Sequence, residues 1–428
     1  MSQHEDRYLE LLKREVVPAL GCTDPIAIAL AASKARSVLP RDPDRIDIIL
    51  SRNMLKNAMA VGIPGAGDSG VELAAALGSF AGEHDAGLRV LKALGDTGVQ
   101  RARQFVNERR VGVRLQENSS EPLYIEVVMA AGANKSRAII RGDYAQVTLI
   151  ELNGIPSFKL EQPAQAADGH DADEPASLTI RDILEFAAGV PLDRILFMLD
   201  AAAMNQALSA EGLSNEYGLS VGLLMRAAAE TGLLGDSLAT RATIATAAAV
   251  DARMSGCFLP AMTNSGSGNQ GITATMPVVV TASERHASDE QLARALVVSH
   301  LVSIHMRQHF DRLSPMCGTI PAATGAACGV LHILGGGYEQ AVAAIANMAG
   351  NLSGMICDGA KPGCALKASS AVQAAFASVV LAKQNVRVSG SEGIVDTDVE
   401  NIIDNLGHLG SEGMRQTDAM ILDTMLSK

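Results

Sequence analysis

The stretch from about residue 178 to 428 most constrains the fold. There Ala, Leu, Val, Ile and Met recur at helical spacing, and few aromatic residues interrupt them. Across the chain 48 % of residues are hydrophobic, yet aromatics make up only 3 % and Trp is absent. A core without large rings must be filled by small aliphatic side chains. Ala and Gly on facing helices let the axes approach closely, so the pattern predicts a compact helical bundle. Helices are expected over 180–188, 192–209, 216–231, 235–253, 286–309, 320–334, 337–350, 366–383, 396–406 and 411–425, with breaks rich in Gly, Ser, Asn and Pro.

The N-terminal part has a different character. Tyr8, Leu11, Leu12 and Val16 give an amphipathic helix over 4–17. Gly21-Cys22-Thr23-Asp24-Pro25 ends it and starts a second, running to about Ser37, with Thr23 or Asp24 as N-cap and Pro25 in the first turn. Short strands follow at 46–50, 111–115, 124–129, 137–140 and 146–151, with turns at 118–121 and 132–135 and helices at 69–81 and 96–108. Residues 161–177 are acidic and rich in Ala and Pro, without apolar periodicity, which reads as a linker. The expected organisation is α+β: residues 1–39 packed on a helical domain at 178–428, with a small α/β insertion at 40–160.

Charge and apolar runs narrow the function classes. The formal net charge of −12 argues against a nucleic-acid binder, which would show a basic patch. No signal peptide is visible, and no apolar run is expected to reach the length of a membrane span; Ala368–Ala382 is interrupted by Ser369, Ser370 and Gln373. The expectation is a soluble, cytoplasmic protein that contacts neither nucleic acid nor membrane. Apolar helix faces leave a homodimer open.

Six cysteines carry the chemical signal. Cys317 lies in Met316-Cys317-Gly318, and Cys357 and Cys364 bound a short loop, Cys357-Asp358-Gly359-Ala360-Lys361-Pro362-Gly363-Cys364. Gly removes Cβ and Pro fixes φ, so such a loop can approach a bulky inorganic group. Three thiolates from two loops can hold three irons of a [4Fe–4S] cluster and leave the fourth open as a Lewis acid. Buried core cysteines are the competing reading, since free Cys is among the most buried residue types. Structural zinc normally takes four ligands in two close pairs, and no second pair is visible. A disulfide is disfavoured in a reducing compartment.

Other candidates surround these. Cys22 sits at a helix start, where backbone N–H groups favour thiolate, although a Cys buried in a helix–helix turn has the same sequence. The segment Thr263 to Gly271 is rich in amides and hydroxyls: Asn264, Ser265, Ser267, Asn269 and Gln270 can cradle a carboxylate, or form an ordinary loop. Lys361 and Lys367 can bind a carboxylate or, if desolvation lowers a pKa, act as a base; solvated lysines are the plain alternative. Gly65, Gly67 and Gly70 fit G-x-G-x-x-G, but a helix precedes them instead of a strand, so the dinucleotide reading fails and a loop reaching the active site remains. His305 and His309 have i,i+4 spacing without an evident third ligand. Cys257 and Cys328 have no partner spacing, and Cys328 is the main competitor of Cys317 as a ligand.

Taken in order, Gly21-Cys22-Thr23-Asp24-Pro25, Gly268-Asn269-Gln270-Gly271, Met316-Cys317-Gly318 with Pro321-Ala322-Ala323-Thr324-Gly325, and the stretch from Cys357 to Lys367 resemble the L-cysteine desulfidase family, itself related to the α-subunit of iron–sulfur L-serine dehydratases. The resemblance implies a [4Fe–4S] lyase that converts L-cysteine to pyruvate, ammonia and sulfide. It implies Cys317, Cys357 and Cys364 as cluster ligands, and Cys22 as removable fourth ligand or base. Cys22 or a lysine, Lys361 included, would take the Cα proton. The 264–270 loop and Lys361 or Lys367 would hold the substrate carboxylate. Serine dehydratases have a longer loop between the last two cluster cysteines, and some carry a further Cys near the C-terminus; here the loop is short and 418–428 has no Cys. Both departures favour the desulfidase branch. L-serine dehydration by the same chemistry and a non-enzymatic iron–sulfur sensor are the alternatives.

Overall fold

The computed structural model describes residues 3–116, 121, 123–160, 178–310 and 314–427. It is α+β, with a mixed sheet at one end and a large helical body. In chain order the first elements are α1 (Gln3–Glu15), β1 (Pro18–Leu20), α2 (Thr23–Ser37), β2 (Arg45–Leu50), α3 (Arg52–Ala58), α4 (Val71–Ala81), α5 (Asp96–Asn107), β3 (Val111–Leu115), β4 (Tyr124–Ala131), β5 (Asn134–Arg141), β6 (Val147–Leu152) and β7 (Ile155–Lys159). The helical body comprises α6 (Ile180–Gly189), α7 (Met198–Ser214), α8 (Val221–Glu230), α9 (Leu238–Met254), α10 (Gly268–Glu284), α11 (Asp289–Gln308), α12 (Thr319–Ile333), α13 (Tyr338–Leu352), α14 (Cys364–Ala382), α15 (Val399–His408) and α16 (Arg415–Leu426), with the short strand β8 (Pro260–Met262) before α10. The expected linker at 161–177 and most of the turn at 118–121 lie outside the described residues.

The sheet runs β3-β2-β4-β5-β6-β7. Only β2 and β3 are parallel, with Ile46 opposite Val111; the other neighbours are antiparallel. Ile46, Ile48 and Leu50 alternate inward along β2, as a strand with one buried face requires. They meet Ile26, Ile28 and Leu30 of α2 and Leu73 and Leu77 of α4. At Gly78 an added Cβ would lie 2.1 Å from the Ala29 carbonyl oxygen, so the α2–α4 crossing depends on that glycine. This corrects the expected organisation of residues 1–39. Of the two helices in this stretch, α1 joins the helical body, through Tyr8, Leu12 and Val16. α2 belongs to the sheet core because its apolar side chains cover the sheet.

Small-residue packing governs the helical body as the composition requires. Gly325 of α12 sits against the Ser299 carbonyl of α11, where a Cβ would come within 2.2 Å. α10 is longer than its sequence predicts. Thr273, Thr275, Val278, Val279 and Thr281 are stiff β-branched residues, and Pro277 lies inside the helix, whereas the sequence suggests only a short helix at 271–276. Burial on nearly every side overrides that propensity. α14 also departs from expectation. It is long and apolar enough to cross a membrane by length and composition, but half of it is buried inside the protein, including Ala365, Ala368, Ala371 and Val372.

β1 pairs with β8, and Thr263 donates to the Val17 carbonyl at 2.9 Å, so the chain entering α2 is tied to the chain entering α10. The Gly-rich loop of residues 62–70 reaches the same place: Gly62 donates to the Met254 carbonyl at the end of α9. This seam between sheet part and helical body positions the site.

Candidate active site

Two loops bring the three candidate ligands together. Met316 and Ile356 form an antiparallel bridge, flanked by Cys317 N–H to the Met355 carbonyl (2.9 Å) and Cys357 N–H to the Pro315 carbonyl (2.6 Å). Cys364 opens α14, its N–H bonded to the Lys361 carbonyl at 2.9 Å. Gly359 makes the turn possible at φ +92°, with its Cα so near the Lys56 carbonyl that a Cβ would lie 2.3 Å away.

The thiols feel one another. Burial, then Cys357, then Cys364 push the Cys317 thiol up to about 12, relieved in part by a 3.0 Å contact with the Thr319 hydroxyl. Burial, with a contribution from Cys357, also raises Cys364, while Lys361 and Lys367 pull it down. Thiols raised in this way, as those of Cys317 and Cys364 are, take a soft cation to hold them as thiolates. Among the described residues no three His, Cys, Asp or Glu side chains converge on a point fit for one metal ion. Soft thiolates are the donors that an iron–sulfur cluster takes, each at a separate corner. Cys328 is buried among apolar residues, and its thiol is raised to about 12 by burial alone. Cys257 sits beside Tyr217 and accepts from Leu259 N–H at 3.4 Å.

Asp358 lies between Lys361 of the loop and Lys367 of α14, accepting from one on each oxygen. Burial raises its pKa, but the two lysine hydrogen bonds outweigh this and hold it at about 2. Burial lowers Lys367, but Asp358 more than reverses that and leaves it raised, opposite to what a lysine base requires. Lys367 also donates to the Ile356 carbonyl at 2.8 Å, which braces the cysteine loop.

Cys22 is buried in the seam, in the same small core as Ala365 and Ala368 of α14, with Cys364 packed against it. It is itself the N-cap of α2, without a side-chain cap bond, so neither Thr23 nor Asp24 holds the expected cap position. Asp24 turns away to accept from the Cys22 thiol at 3.1 Å and from the Tyr144 hydroxyl at 3.2 Å. Burial raises Asp24, with Cys22 and Tyr144 opposing. Burial and the Asp24 charge push the Cys22 thiol up strongly, and Arg253 pulls it down.

The 263–271 segment divides in two. Asn264 is fully buried; its amide nitrogen contacts His300 at 3.1 and 3.2 Å, and its oxygen accepts from Ser265 and Ser303. Ser265 is at φ +49°, and Ser267 caps α10. These three serve the bundle. Asn269 and Gln270 face the seam instead. Asn269 accepts from Arg253 at 3.0 Å, and the Gln270 amide lies against Gly318, next to Cys317. The Gln270 oxygen is buried without a partner.

His305 and His309 do not form a metal pair: they engage Glu400 and Asp404 at 2.6 Å each. Two clefts, of about 870 Å³ beside β3 and about 720 Å³ beside β1, have linings that include none of the three candidate cysteine ligands. Arg253, Asp24 and Tyr144 emerge only from the structure. For Arg253 a signal existed: a cation near the end of the Ala-rich helix α9.

Residues 85–423 match the model of the serine dehydratase alpha chain. Full-length relatives carry no activity in their names. A "UPF0597 protein" of Oleidesulfovibrio alaskensis is 47 % identical over 99 % of this chain and 98 % of its own length. Others so named, from Aeromonas hydrophila and Bacteroides thetaiotaomicron, are 45 % and 43 % identical over 98 % of this chain and 96 % and 97 % of theirs.

Proposed function

The chain belongs to the serine dehydratase alpha-chain family, and from that premise we propose that it is a [4Fe–4S]-dependent lyase that eliminates sulfide from L-cysteine. The observation carrying this reading is the bridge of Met316 to Ile356, which draws Cys317 and Cys357 together beside Cys364 and opposite the Cys22 seam. Cys317, Cys357 and Cys364 would hold the cluster. When bound, it supplies a Lewis acid that stabilises the departing sulfur anion.

The chain's own residues do the rest. β-Elimination breaks Cα–H and Cβ–S and forms Cα=Cβ; aminoacrylate then hydrolyses to pyruvate and ammonia. The proton needs a base. Cys22 is the candidate base, acting as thiolate: Arg253 favours its deprotonation, and the contact with Asp24 at 3.1 Å, with Tyr144 donating to the same carboxylate, fixes its position. Lys361 and Lys367 lock Asp358 and thereby the shape of the loop, a positioning role.

L-Serine is the second substrate reading, favoured by the family description itself. The short Cys357–Cys364 loop favours L-cysteine. After anaerobic reconstitution, the protein is expected to release sulfide and pyruvate in equal amounts from L-cysteine. Pyruvate from L-serine alone would move the assignment to dehydratase, and no product from either would reject the lyase reading.

A further inference from the structure

We propose that Arg253, set against the N-terminus of α10, is the anchor for the substrate's α-carboxylate; this rests on the lyase reading above and names the residue that selects its substrate class. Arg253 is 4 % exposed. Its Nη1 donates to Asn269 Oδ1 and its Nη2 to the Gly21 carbonyl, each at 3.0 Å, while Nε is buried without a partner. Among the described residues no ion pair joins this guanidinium to a carboxylate. A buried cation satisfied only by neutral groups is costly.

The helix ends do not relieve it. Arg253 lies in the last turn of α9, whose carbonyls carry about half a negative charge, but its guanidinium touches the first turn of α10, which carries about half a positive one. At Gly268 an added Cβ would sit 2.1 Å from Nε, so the contact is direct and requires glycine. The guanidinium faces no carboxylate among the described residues, and it lies at a helix start whose first N–H groups lack intrahelical acceptors. The Gln270 oxygen, also buried and unpartnered, stands ready for a donor such as the substrate ammonium. Gly21 on one side leads to Cys22, and Gln270 on the other leads through Gly318 to Cys317. A carboxylate on Arg253 thus holds the amino acid between the base and the thiols. The ligand class is a free α-amino acid; amides, esters and carboxyl-linked peptides are excluded.

The test measures binding, not turnover. In thermal unfolding of the reconstituted protein, L-alanine, which has no leaving group, is expected to raise Tm, and L-alaninamide at the same concentration is not. Arg253→Gln is expected to weaken L-alanine binding on the order of 100-fold, the size of one charge-assisted contact, and Arg253→Lys to restore part of it. Equal stabilisation by L-alaninamide in the wild-type protein would overturn the proposal, whether or not Arg253→Gln folds. Arg253-dependent L-alanine binding without L-cysteine turnover would sink the lyase reading and leave the anchor standing; turnover with unchanged KM in Arg253→Lys and Arg253→Gln would do the reverse.

Discussion

The loops at 263–270 and 357–364 look alike in sequence, each a few polar residues among glycines, but the structure uses them differently. In the first, Asn264 and Ser265 bond to each other and Asn264 to His300 and Ser303, so most of its polarity faces inward and closes the bundle. In the second, Asp358 and Lys361 bond within the loop and Lys367 of α14 clamps Asp358 from outside it, so the loop's own polar groups are spent on its shape. A polar loop can serve its own fold or a ligand. Which it does depends on whether buried partners exist elsewhere in the chain, and a single sequence does not list them.

Perturbing each loop separates these roles, and the largest effect belongs to the second. Cys357→Ala is expected to lower iron content and reduce kcat/KM by on the order of 10³-fold or more, while far-UV circular dichroism stays unchanged. At the seam between the loops, Asp24→Asn removes the carboxylate that positions the Cys22 thiol and should lower kcat about 10²-fold with KM nearly unchanged. A change in KM alone would assign Asp24 to binding. In the first loop, Asn264→Ala strands His300 and Ser303 and should cost about 2–3 kcal/mol in urea unfolding. KM should hold; a large KM increase would return Asn264 to the substrate site.

The effect that is smallest near neutral pH is a pH slope from the first loop's partner. Burial holds the His300 imidazole neutral, its pKa pushed down to about 3 from 6.5. Below 6.5 the unfolded chain takes up this proton and the folded chain does not. Stability should therefore fall as pH drops from 6.5 toward 3, by up to about 1.4 kcal/mol per unit. His300→Gln should lack that increment when unfolding is compared with wild type across the range; parallel profiles would contradict the assignment.

Much of the fold was legible because periodicity and glycine punctuation agree with burial. Helices such as 235–253, 337–350 and 366–383 fall close to their expected bounds, and the 111–115 strand coincides with β3. The exceptions have physical causes. α10 forms despite Pro277 and its β-branched run, because it is buried on nearly every side. α2 reads as another Ala-rich helix, and nothing in its composition says that its partner is a sheet. β1 and β8 are three residues each, too short for any alternation to show. Within the site, spacing pairs Cys357 with Cys364 but says nothing of Cys317, some forty residues earlier, and Arg253 required knowing that its helix end meets α10 and no carboxylate.

Iron and acid-labile sulfide measured after anaerobic reconstitution test the central claim most directly, in wild type, Cys317→Ala, Cys357→Ala, Cys364→Ala and Cys328→Ala. The account predicts a full [4Fe–4S] complement in wild type and Cys328→Ala, with marked loss in each of the other three. A full cluster in all five proteins, or loss in Cys328→Ala equal to the rest, would contradict it.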